Sequence, residues 1–164
     1  MFELDYRIVR SEYDDFMGQH GFFQIKCNGY TYGEIYPKQI EEVMDKVCLY
    51  DWFERLARVM RNLMTKNYVV LSDVESYNTW IEFQKRDGDV IISVVKATKE
   101  PGSHDIEFEL KGLESGEWTN QTVYFEQFKE EIIKKGREYI QNIFSINKEN
   151  VLVDKIKREY DKIS

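Results

Sequence analysis

The sequence predicts an α+β domain in which about five to seven antiparallel strands carry one helix between them and two helices at the C-terminal end. Three observations predict it. Period-two runs dominate the first two thirds of the chain apart from one helical stretch over about 49–65, two Asn-Gly or Asp-Gly pairs sit between such runs, and from Thr122 the period changes to helical. Strands grouped first and long helices last, without strand-helix-strand alternation, favour an antiparallel sheet over a parallel one.

Taken in order, residues 2–9 (FELDYRIV) alternate, with Phe2, Leu4, Tyr6 and Ile8 on one side and Glu3, Asp5 and Arg7 on the other. A polar loop with Gly18 and Gly21 leads to FFQIKC (22–27), then Asn28-Gly29, then YTYGEIY (30–36). A tight hairpin needs positive φ at both turn positions, which Asn-Gly supplies at least cost. Pro37 ends that strand and opens a short helical segment, KQIEEVMDKV (38–47). A firmer helix spans about 49–65. It has Trp52, Leu56, Val59, Met60 and Leu63 in one stripe, Arg55, Arg58 and Asn62 opposite, and Asp51 as its expected N-cap.

Strand patterns return in YVVLSDVE (68–75), TWIEFQK (79–85) and DVIISVV (89–95), the last two joined by Asp87-Gly88. Ile91 and Ile92 make the third run apolar on both faces, as a central strand requires. HDIEFELKG (104–112) alternates with Ile106, Phe108 and Leu110 inward. From Thr122, Phe125, Phe128, Ile132, Tyr139, Ile140 and Ile143 share one helical side, with Gly136 costing the middle about 1 kcal/mol relative to Ala. A last helix points Val151, Leu152, Ile156 and Tyr160 inward. No repeat or linker divides the 164 residues, so a single domain is expected, strand-rich over 1–118 and helical over 122–164.

Composition narrows the function classes. No stretch approaches the roughly 18 apolar residues of a membrane span, and MFELDYRIVRSEYDD lacks a secretory apolar stretch, so the expected compartment is the cytoplasm. A net charge of −7 disfavours nucleic acid as partner. The charge is uneven: residues 1–128 hold 14 Lys and Arg against 23 Asp and Glu, whereas residues 129–164 hold 9 against 7. Cys27 and Cys48 read as small buried hydrophobes rather than a disulfide or metal pair.

Catalytic signals are missing. His20 and His104 sit among turn residues without ligand-spaced partners, and no phosphate loop, nucleophile elbow or dinucleotide fingerprint occurs. Paired carboxylates (Asp14-Asp15, Glu41-Glu42, Glu130-Glu131) read as solvated faces. No catalytic residue, metal ligand or cofactor is expected. The surface that stands out is the polar side of the strands, where Glu3, Asp5, Glu82, Glu107 and Glu109 project and Trp80 shares parity with Glu82. Carboxylates around an exposed Trp suit a partner-binding site. The other reading buries Trp80 as core beneath the C-terminal helices.

One resemblance adds to this. The succession G-F-F-x-I-x-x-N-G-x-x-Y-G (Gly21 to Gly33), W-F-E-x-L (Trp52 to Leu56), E-S-x-x-x-W-I-x-F (Glu75 to Phe83) and G-D-V-I-I-S (Gly88 to Ser93) resembles the bacterial immunity proteins of polymorphic toxin systems, over about residues 2–110. The resemblance implies an acidic cytoplasmic α+β protein that binds a cognate toxin domain with a basic surface, occludes its active site and needs no cofactor. If that toxin is a nuclease, the acidic face would stand in for phosphate. A homo-oligomeric structural or adaptor protein remains open beside it. So does a small-ligand binder or enzyme whose site is assembled by the fold.

Overall fold

The computed structural model describes residues 1–10, 17–39, 46–73 and 75–164. Among them the chain forms, in order, β1 (Phe2–Ile8), β2 (His20–Cys27), β3 (Tyr30–Tyr32), β4 (Val47–Cys48), α1 (Leu49–Leu63), β5 (Tyr68–Ser72), β6 (Thr79–Arg86), β7 (Asp89–Lys96), β8 (Ile106–Glu107), β9 (Glu114–Ser115), β10 (Gln121–Tyr124), α2 (Phe125–Ile146) and α3 (Val151–Asp161). The class is α+β, with every strand pairing antiparallel. The strands divide between two sheets. One has four strands in the order β1-β2-β3, with β4 also on β2; the other has six, β10-β7-β6-β5-β8, with β9 also on β7.

Local turn chemistry sets both hairpins. Asn28 (φ 50°) and Gly29 (φ 91°) turn β2 into β3 with Cys27 opposite Tyr30. Asp87 (φ 47°) and Gly88 (φ 90°) turn β6 into β7 with Arg86 opposite Asp89. Both pairs take the left-handed conformation that a two-residue hairpin demands. β7 is central in its sheet, as its apolar run required, with Ile92, Ser93, Val94 and Val95 all buried.

One continuous core draws on both sheets and all three helices. Phe128 of α2 meets Phe2 of the first sheet at 4.8 Å and Phe83 of the second at 5.5 Å. Phe53 of α1 stacks on Tyr139 of α2 at 4.5 Å. These aromatic contacts tie the two sheets to a shared helical layer.

Several expectations are corrected at this level. Residues 121–124 form β10 rather than the start of a helix, because their amide and carbonyl groups extend the ladder of β7. Within 104–112 only Ile106–Glu107 pairs, and Phe108 is 45% exposed, so alternation there does not make a long strand. The N-cap of α1 is Cys48, without a side-chain cap, and Asp51 lies in the first turn. Arg55 is buried rather than on the wet side, held by Asp105 at 3.2 Å and donating to the Ser72 carbonyl. Val151 is 75% exposed and Val153 takes the inward place, because Asn150 caps α3 through the Leu152 amide and sets its phase. The 38–47 helical segment lies mainly outside the described residues, and Val47 belongs to β4.

An ion-pair cluster fastens α3 to α1. Glu159 receives Arg61 at 2.7 Å and Lys162 at 2.6 Å. Burial works against its charge, but the Lys162 hydrogen bond and the charges of Arg61, Lys162 and Arg58 outweigh it and hold the carboxyl below the ordinary range. A carboxyl lowered on folding stabilises the native state above its unfolded pKa of about 4.3, and that contribution is lost as pH falls through the folded value. Glu159→Gln should therefore cost about 1 kcal/mol near neutrality. Urea melts of both proteins across the acid range check this: the gap should close on acidification, and a gap independent of pH refutes the assignment.

Candidate functional site

The six residues expected to gather on one polar face are split by the two-sheet architecture. Glu3 and Asp5 lie on β1 of the smaller sheet, where Lys26 pairs with Asp5 at 3.2 Å and Lys134 and Lys135 line the same hollow. The charge of Asp5 is answered by Lys26, and Glu3 lies in a hollow that three lysines line. Glu131, read as part of a solvated pair, instead accepts from the Leu4 amide at 3.1 Å along the edge of β1. Asp14-Asp15 and Glu41-Glu42 lie outside the described residues.

Trp80, Glu82, Glu107 and Glu109 belong to the larger sheet and its flanking loop. The parity argument holds, since Trp80 and Glu82 point away from the helices while Ile81 and Phe83 join the main core. The exposure does not. Trp80 is 1% exposed and its Nε1 donates to the Ala97 carbonyl at 3.0 Å. It forms a second, smaller core with Val70, Val95 and Ala97, against which Leu110 packs. The cover comes from the chain between β7 and β9, not from the C-terminal helices. Glu82 is buried as well and accepts from Tyr68 Oη at 2.9 Å. Burial and that hydrogen bond push the Tyr68 phenol well above its usual range.

Above Trp80 this cover leaves a cleft of about 580 Å³ lined by Glu100, Glu107, Glu109, Leu110 and Lys111 among others. Glu107 accepts from the His104 amide at 2.7 Å, while Glu100 and Glu109 are exposed.

A second cleft, about 620 Å³, opens between the two sheets. Its floor is Phe23 stacked on Trp52 at 4.9 Å, with Ile35 and Val47 beside them. Its rim is Glu34, Glu75 and Glu117, with Asp73 beneath them. These four carboxylates arrive from three segments, Asp73 and Glu75 sharing one. Asp73 follows β5 and is buried, accepting from Tyr32 Oη and from the Glu75 amide at 2.8 Å. Glu117 is brought in because the Trp118 indole donates to the Thr31 carbonyl at 2.9 Å, while the Val94 amide holds the Trp118 carbonyl at 2.8 Å. Burial, then the Asp73 charge and hydrogen bond, then Glu117 keep the Tyr32 phenol far above its ordinary range. Tyr32 is therefore a fixed donor at neutral pH.

Lys99 stands between the clefts. Its Nζ donates to the carbonyls of Asp73 and Ser76 and lies 5.4 Å from the Trp80 ring centre. Burial lowers its pKa, partly opposed by Asp73. Two of its three donors go to main-chain carbonyls. Among the described residues none of Glu34, Asp73, Glu75, Glu100, Glu107, Glu109 and Glu117 takes part in an ion pair. Acidic groups outnumber basic ones around both clefts, with Lys99 between them and Lys111 on the second. No group of three or more His, Cys, Asp or Glu among the described residues is arranged to hold a metal ion.

Neither histidine is among the residues that line the two clefts. His20 opens β2 and is half-buried rather than in a loop, opposite Cys48, and His104 is exposed. Cys27 is fully buried and Cys48 half-buried; burial raises both thiols to about 11, which leaves them as unreactive apolar side chains. No helix among the described residues is long and apolar enough to cross a membrane. Sequence reasoning missed the cleft between the sheets. Its one local sign was the aromatic hairpin 22–33, and nothing in the chain order joins that hairpin to Asp73 or Glu117. Comparison with protein-family models, with curated proteins and with solved structures finds no match to this chain.

Proposed function

We propose that this chain is a protein-binding module of the immunity or antitoxin kind, which neutralises a cognate toxin domain by laying an acidic face over a basic one. The observation that carries the reading is the set of carboxylates around two neighbouring clefts that have no ion pair among the described residues. Like charges held together cost free energy, and a cationic partner relieves that cost on binding. The same field accelerates encounter with a basic protein and weakens as salt shortens its range. The binding residues are revised accordingly: Glu107 and Glu109 stay, Trp80 and Glu82 support them from below, and Glu3 and Asp5 drop out.

Capture from the native host with the tagged chain is the direct test. The expected catch is the terminal domain of a large secreted protein, whose toxic activity falls when the complex forms. Glu100→Lys with Glu109→Lys, both at exposed positions, should slow association at low salt by about tenfold or more and flatten its salt dependence. An unchanged rate and an unchanged salt slope would refute the acidic face as the docking face. Light scattering that shows a concentration-dependent homo-oligomer, with no heterologous partner, would favour the adaptor reading instead.

A further inference from the structure

We infer that the cleft between the two sheets is a receptor for one arginine side chain of the bound protein. The inference rests on the docking reading above and names the chemistry of its central contact. The groove is amphipathic in the sense an arginine requires. The Phe23–Trp52 stack with Ile35 and Val47 gives an apolar floor for an aliphatic stem, and the carboxylates stand at the rim. Charge complementarity selects the occupant. Glu34, Glu75 and Glu117 are exposed at the rim and have no ion-pair partner among the described residues, while Asp73 lies beneath them, oriented by Tyr32.

The spread of these groups decides between cations. No three of them converge closely enough for a metal ion. A planar guanidinium offers five donors in a fixed fork and loses less hydration than an ammonium, so it can serve carboxylates that stand apart. A neutral ligand of similar shape leaves the rim charges unanswered. Lys99 is not a competing occupant, because its ammonium is turned to the Asp73 and Ser76 carbonyls.

The probe is Nα-acetyl-arginine methylamide, with its uncharged citrulline counterpart, titrated into the full chain and followed by NMR. The arginine compound should shift the Trp52 indole and Tyr32 ring resonances with a millimolar dissociation constant. The citrulline compound should leave them in place. Glu75→Gln with Glu117→Gln should weaken arginine binding about tenfold, since each lost carboxylate removes a charge-assisted contact. Both positions are exposed, and circular dichroism confirms folding of the variant. Equal binding of the two probes overturns the inference, as does no binding, or arginine binding that ignores the variant. Failure is separable from that of the docking reading. A captured toxin domain that binds the Gln variant as tightly as the parent sinks the arginine slot and leaves docking intact. Absence of any heterologous partner sinks docking, whatever the probe does.

Discussion

Gly136→Ala is expected to destabilise the fold by about 3 kcal/mol, although the same change in an exposed helix would stabilise it by about 1 kcal/mol. The sign is reversed by packing. Gly136 lies mid-way along α2 and is buried. A Cβ there would fall inside Cε1, Cζ and Oη of the Tyr160 ring. That ring cannot swing away, because Tyr160 is fully buried and its hydroxyl donates to the Phe53 carbonyl at 2.9 Å. The glycine is where α3 approaches α2, and α1 is tied to both through the same tyrosine. For a domain of this size the loss corresponds to roughly 9 °C in Tm. Thermal and urea melts measure it. In a Tyr160→Leu background the penalty should shrink by more than half, because the clash is with the ring. A stability gain in the parent background would show that the helices are free to separate.

Trp80→Ala should cost about 4 kcal/mol, roughly 12 °C in Tm, and its effect on binding should follow from the lost fold. An exposed hot-spot Trp behaves in the opposite way, losing affinity with stability intact. Truncation here empties the second core, where the indole contacts Val70, Val95 and Ala97, and removes the donor to the Ala97 carbonyl. The chain over Trp80 carries Glu107 and Glu109, so the cover of the acidic cleft should loosen as well. Trp80→Phe, which keeps most of the volume, should recover more than half of the loss. Unchanged melting with a purely affinity-based defect would return Trp80 to the surface role that its parity with Glu82 first suggested.

These two residues mark how far pattern reading goes. Parity correctly set Trp80 and Glu82 on one side of β6, because side-chain direction in a strand is a local property of the backbone. Exposure is not local. The segment that buries them returns only after β7, through a loop whose alternation resembled a strand but which pairs over two residues. Gly136 likewise read as a local defect, since its value lies in a neighbour 24 residues away. Glu3 and Asp5 were placed with Glu107 and Glu109 because alternation reveals which side a residue faces but not which sheet it joins.

By itself, the sequence determined the α+β class, both two-residue hairpins, the apolar stripes of α1 and α2, and the acidic character of the strand-rich part. Each of these depends on neighbours within a few residues or on composition. Tertiary structure alone decided that the strands form two sheets sharing one helical layer, and that Glu34, Asp73, Glu75 and Glu117 surround an aromatic floor between them. Those four carboxylates come from three separate stretches of chain. Hydrogen bonds from Tyr32 and Trp118 hold two of those stretches against the aromatic hairpin, and such long-range closure leaves no periodic trace in the order of residues.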